Sequence, residues 1–213
     1  MPSNPAAAAL EAAAAGNLDQ AFGYFNRNNF PEGKQPDAVR VAYIELQLLR
    51  LLALAAARQC QQADNGITTL GYEDKALPFT FNGFGAFTKG ARFQYHLGLV
   101  EAACVDERDA RKRFEKVSRM RVPMTSPDFA YSYMALAKLG PVGGLDAIAQ
   151  QLDGALAAAR PADVPALQYT KGLLLSILGN KGAAAACFRQ GAANAPPGML
   201  RYLNQSALRT LGQ

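Results

Sequence analysis

The chain's single histidine, His96, lies between Tyr95 and Leu97 in an apolar stretch. A histidine can serve as a general base near neutral pH, but it needs a nucleophile to deprotonate and a group to orient its ring. Spacing assigns neither a Ser or Cys nucleophile nor an acidic orienter to His96, so a structural role is expected. Glu73-Asp74 and Asp106-Glu107 are adjacent carboxylates, and adjacency alone does not make a catalytic pair; Asp106 has the type and position of a helix N-cap. Cys60, Cys104 and Cys187 are odd in number, far apart and outside any C-x-x-C pair. That pattern supports neither a zinc site nor a full disulfide framework, and each cysteine is expected to be a small buried hydrophobe. No phosphate loop, dinucleotide fingerprint, H-E-x-x-H motif or calcium loop occurs. The expectation is a chain without catalytic residues, metal or cofactor.

Positive charge is concentrated at Arg108, Arg111, Lys112, Arg113, Lys116, Arg119 and Arg121. On a helix whose core face is Ala110, Phe114 and Val117, most of these side chains point to solvent. Such a stripe has the chemistry to meet phosphates. It lacks interleaved aromatic residues on which bases would stack, and a net charge of +5 is modest for a nucleic-acid binder. A solvated outer face, partly balanced by Glu107 and Glu115, is the expectation. Nucleic acid is not an expected partner, and an adaptor working through the helix 107–121 ranks last among the readings.

The elements that would carry these residues are helices. Half of the 213 residues are hydrophobic, 18% are charged and alanine dominates. Alanine favours helix and lets helices approach closely, whereas alternating β-branched runs are missing. One domain over 1–213 is predicted. It comprises a partial N-terminal hairpin in 1–30, a long helix over 36–63 ended by Asn65-Gly66, and an irregular aromatic loop over 66–90. Hairpins at 91–124, 128–161 and 165–198 and a terminal helix at 199–211 follow. Residues 77–87, rich in Phe and Gly, are expected to plug a gap between hairpins, with one groove wall or a homodimer contact as the functional alternatives. Met1–Gly16 has no Lys or Arg, unlike a secretory leader, and the apolar run Leu46–Ala57 is short and broken by Arg50. A soluble chain with no membrane partner is expected, with the cytoplasm favoured; it could be an accessory region of a larger protein.

One phrase recurs. Gly98 and Gly172, Ala110 and Ala184, and Phe114 and Phe188 are each 74 residues apart. One further unit fits between them, lengthened by the Pro-Val-Gly-Gly turn at 141–144. With Leu97, Leu178, Gly179 and Pro196, these residues resemble the tetratricopeptide repeat family, whose period is about 34. Clear resemblance covers about half the chain; the family's early tryptophan is replaced by Gln94 and Gln168. The resemblance implies an all-α, right-handed solenoid of antiparallel helical hairpins. Small residues would lie where two helices come closest, and phenylalanine would fill the wedge between hairpins.

It also implies a protein- or peptide-binding scaffold whose first helices line a concave groove. The positions carried over are Arg92, Tyr95 and Leu99 in one unit, Met134 and Lys138 in the next, and Tyr169, Leu173 and Ile177 in the last. This lining is apolar and aromatic, suited to a hydrophobic or mixed peptide. Family members that clamp a C-terminal carboxylate use Lys and Asn where this chain has Tyr95 and Leu99, so that activity is not implied. The alternative is an enzyme or small-ligand domain with a pocket under loop 66–90, near His96 and Glu101.

Overall fold

The computed structural model describes residues 4–26, 28–30, 36–71 and 87–212. Among these are eleven α-helices and no strand. They are α1 (Pro5–Ala14), α2 (Leu18–Gly23), α3 (Asp37–Ala56), α4 (Cys60–Gly71), α5 (Ala91–Cys104), α6 (Glu107–Ser118), α7 (Phe129–Leu139), α8 (Leu145–Ala157), α9 (Val164–Ile177), α10 (Lys181–Asn194) and α11 (Met199–Thr210). The chain divides into two compact units, Met1–Arg113 and Phe114–Gln213.

Local chemistry sets many of the boundaries. The Asn4 side chain accepts from the Ala7 amide at 3.0 Å and Pro5 occupies the first turn, so α1 starts with an orphan donor satisfied and no amide wasted. Asp106 accepts from the Arg108 amide at 2.7 Å and opens α6 in the same way. Asn180 caps α10 through the Ala183 amide at 3.2 Å. Gly16 and Gly179 follow α1 and α9 with φ of 90° and 78°, a left-handed backbone that stops a helix at little cost to glycine.

The expected long helix over 36–63 is two helices. α3 stops at Ala56, Arg58 takes a left-handed φ of 58°, and α4 begins at Cys60. Arginine carries no turn signature, which hides this corner from a composition-based reading. Asn65 and Gly66, read as the stop, lie inside α4. A Cβ on Gly66 would run into Leu51 of α3, so this glycine permits close packing of two helices. Residues 66–71 of the expected loop are therefore helical. Most of its aromatic stretch, residues 77–86, lies outside the described residues; Phe87 lies under the Arg40 guanidinium, 4.7 Å from the ring centre.

Within the first unit, α3 packs on both α1 and α2, and α5 on both α3 and α4. Ala9, Ala21, Ala42, Leu46, Leu48 and Val100 are fully enclosed there. Within the second, α9 packs on α7, α8 and α10, and α11 packs on α9 and α10. Its core centres on Ala130, Leu145, Leu152, Leu167 and Leu174. The buried Tyr202, Leu203 and Asn204 form the inner face of α11. Gly172 of α9 seats the Phe188 ring of α10: an added Cβ would lie 2.7 Å from the ring's Cδ1. Glycine and phenylalanine thus act as one contact inside the α9–α10 hairpin.

Candidate functional site

Helices α5, α7 and α9 carry the residues of the expected groove, and their side chains divide into two groups. Tyr95 on α5 and Tyr169 on α9 are only 5% and 3% exposed, so both pack inward. Burial pushes the Tyr95 phenol up to about 12, and it remains a neutral hydroxyl at any physiological pH. The Tyr169 hydroxyl lies 2.6 Å from that of Tyr131, a buried polar link between α9 and α7. Arg92 is committed to an ion pair with Glu45 of α3. Leu173 and Ile177 are partly buried against the core of the second unit. Leu99 and Met134 are partly exposed, and Lys138 is exposed. Of the named positions, Lys138 alone is exposed, while Leu99 and Met134 share the intermediate burial of Leu173 and Ile177.

A charged layer joins the helices of the first unit. Arg92 grips Glu45 through both terminal nitrogens, one of these contacts at 2.5 Å. Arg113 in the middle of α6 grips Glu101 of α5 in a similar two-pronged way, and also donates to Gln94. Paired guanidinium and carboxylate planes suit burial because two N–H groups meet two carboxylate oxygens in parallel. Arg113, expected on the solvated face, is therefore bound and partly buried, whereas Arg108, Arg111, Lys112, Lys116, Arg119 and Arg121 are exposed. Lys112 lies 2.9 Å from Asp109, which holds the Asp109 carboxyl below its ordinary range.

His96 belongs to this layer. Its Nδ1 lies 2.8 Å from the Arg92 carbonyl oxygen, and its ring meets Tyr95 edge-on at 5.4 Å. Burial first, and the Arg92 charge second, push its pKa down to about 4, against smaller opposing effects of that carbonyl and of Glu45. The imidazole is neutral at pH 7, with Nδ1–H donating to the carbonyl. Among the described residues, no cluster of His, Cys, Asp and Glu could hold a metal ion.

The expectation for the cysteines fails at two of three. Cys60 and Cys104 form a disulfide that ties the start of α4 to the end of α5. Cys187 is free and buried, as expected. The error follows from the missed corner at Arg58. A helix continuous to residue 63 would carry Cys60 past α5, whereas the break begins a new helix beside Cys104. Arg58 secures the same corner, donating from Nη1 to the Ala103 carbonyl at 2.7 Å.

A cavity of about 340 Å3 opens between α3 and α4. Leu51, Leu54 and Leu70 give it an apolar side, and Gln47, Arg50, Gln62, Asn65 and Thr69 a polar one. His96 and Glu101 do not line it. No helix among the described residues is long and apolar enough to cross a membrane. The chain matches no protein-family model, no curated protein and no solved structure.

Proposed function

We propose that the chain is a non-catalytic helical-repeat scaffold of the tetratricopeptide type, a right-handed solenoid that binds a protein or peptide along its first helices. The observation behind this reading is the pairing of helices within each unit. In the first, α3 leans on both helices of the α1–α2 hairpin and α5 on both α3 and α4; in the second, α9 leans on α7 and α8, and α11 on α9 and α10. A hairpin cannot bury its apolar face alone, and leaning each new first helix on the whole preceding hairpin is how stacked repeats bury theirs. The break at Arg58 adds a hairpin, α3–α4, that the sequence reading lacked. The preformed surface would bind with little ordering cost, using Leu99 and Met134 for apolar contact and Lys138 for charge. The disulfide favours an oxidising compartment over the cytoplasm.

Selection of apolar-aromatic peptides against the intact chain tests the reading. Selected peptides should lose at least about tenfold in affinity with Met134→Glu or Lys138→Glu, and none with Lys116→Glu on the second helix α6. Equal losses at all three positions, or no selectable peptide, would count against it. One observation favours a second reading, a small-ligand domain: the α3–α4 cavity offers Arg50 beside three amide side chains and an apolar wall. Calorimetric titration with small carboxylates, repeated on Arg50→Ala, would support it through a heat of binding that the variant abolishes.

A further inference from the structure

We infer, building on the small-ligand reading of the α3–α4 cavity, that its occupant is a free aliphatic monocarboxylate with a short tail, about four to six carbons long. The carboxylate meets Arg50, and the tail lies along Leu51 and Leu54. Antiparallel pairing orders the lining. α3 and α4 run back from the corner between Ala56 and Cys60, and Gly66 meets Leu51 halfway along. Counted from that contact, Leu54 and Gln62 lie toward the corner, and Gln47, Arg50, Thr69 and Leu70 lie toward the other end. Gln47, Arg50, Leu51 and Leu54 share one face of α3, as Gln62, Asn65, Gly66 and Thr69 share one face of α4. Arg50 and Leu54 are thereby about 6 Å apart along the helix axis, a distance that a short tail covers.

The apolar side of the cavity is underfilled. Among the described residues of α4, only Ala63 and Leu70 are buried, and Leu54 of α3 is half-buried although it faces α4. Gly66 offers no side chain, and Gln62, Asn65 and Thr69 are polar and exposed. The space left is about 340 Å3, at the small end of ligand sites. A short hydrocarbon tail supplies the apolar contact that the side chains of α4 do not.

Charge sets the head group. Among the described residues that line the cavity, Arg50 is the single charged side chain, so a cation meets no carboxylate there. The Arg50 guanidinium lies 6.0 Å from the Phe22 ring centre, a contact that limits its swing. The Gln47 amide donates to the Tyr43 hydroxyl at 2.8 Å, and the Thr69 hydroxyl donates to the Asn65 carbonyl at 2.8 Å. One anionic charge is thus matched by one cation. A second, as on a dicarboxylate, falls against the leucines, where burial without a partner is costly.

Amide NMR shifts of the intact chain, titrated with acetate, butyrate, hexanoate and octanoate, test this, because they measure weak affinities and locate the ligand. Affinity is expected to rise about two- to fourfold per methylene up to hexanoate and to level off at octanoate, with shifts confined to the cavity helices α3 and α4. Hexylamine and adipate should bind more weakly than hexanoate. Gln62→Leu, at an exposed position, should extend the apolar wall and tighten hexanoate by at least about twofold while leaving acetate unchanged. Equal affinities for acetate and hexanoate would overturn the inference and leave the small-carboxylate reading standing; no shift with any carboxylate would sink both. Shifts elsewhere in the chain, tighter binding of adipate, or an unchanged hexanoate affinity in Gln62→Leu would also overturn it. So would tighter binding of an N-acetylated dipeptide ending in leucine, which would assign the cavity to a peptide terminus.

Discussion

Arg92 and Glu45 bind each other across two helices from almost complete burial, with side chains 16% and 3% exposed. The pair tells α5 where to sit on α3, because apolar packing alone tolerates small slides and a two-pronged ion pair does not. Removing one partner strands the other charge away from water. Arg92→Ala should destabilise the chain by about 3–5 kcal/mol, read as a lower urea midpoint. Arg92→Lys should fall between, since an ammonium keeps the charge but not the fork. A double replacement by Met should recover much of the loss. If Arg92→Ala unfolds with the wild-type midpoint, the pair has no such role.

His96 supplies a pH dependence with a definite sign. Its folded pKa of about 4 lies below the ordinary value of 6.5, so between these values the unfolded chain holds more protons than the folded one. Stability therefore rises with pH across that window and is constant, as far as this residue is concerned, above it. The difference is up to about 3 kcal/mol between pH 7 and pH 4. Urea unfolding of the wild type and His96→Gln at pH 4, 5, 6 and 7 isolates it from the carboxylates titrating in the same range. The variant should lose less stability on acidification, and identical slopes would refute the assignment.

The sequence shows its helices where glycine, asparagine and proline punctuate them. Asn17, Asn180 and Gly179 mark corners through backbone and capping chemistry that depends only on neighbours in the chain. It hides the corner at Arg58, because an arginine held in a left-handed conformation advertises nothing. That one omission merged α3 with α4, turned Gly66 from a packing residue into a stop, and concealed the disulfide. The groove positions suffer from a different gap. The resemblance places Tyr95 and Tyr169 on first helices but cannot say whether a neighbouring helix covers them, which is a property of distant residues. Gln94, Glu45 and Glu101 gain their roles only once α3 lies beside α5 and Arg113 of α6 reaches back to α5.

Asn204 is a buried amide at the centre of the α9–α11 contact. Its Nδ2 donates to the Pro165 carbonyl at 3.2 Å and the Leu200 carbonyl at 2.9 Å, and a Cβ on Gly191 of α10 would lie 2.6 Å from its Cγ. Asn204→Leu removes both donors and leaves the Pro165 carbonyl without this contact, so a loss of about 1–3 kcal/mol is expected. Asn204→Asp should cost more, since it places a carboxylate against two carbonyl oxygens. Thermal unfolding of both variants gives the order, and an aspartate variant as stable as the wild type would contradict it.

Gly172 and Gly182 make opposed predictions for the same substitution. Both are helical, and alanine is favoured over glycine in a helix interior by about 1 kcal/mol. At Gly182 nothing lies within 4 Å of an added Cβ, so Gly182→Ala should stabilise by up to that amount, less for its place in the first turn of α10. At Gly172 the same methyl meets three carbons of the Phe188 ring, and Phe188 is buried at 1% exposure. Overpacking of this kind costs about 1–3 kcal/mol, which exceeds the helix gain and reverses the sign. Gly172→Ala should therefore lower the urea midpoint while Gly182→Ala holds or raises it. Combining Gly172→Ala with Phe188→Leu should restore part of the loss by making room for the methyl. If the two alanine variants shift the midpoint in the same direction, glycine at 172 is not there to seat the ring.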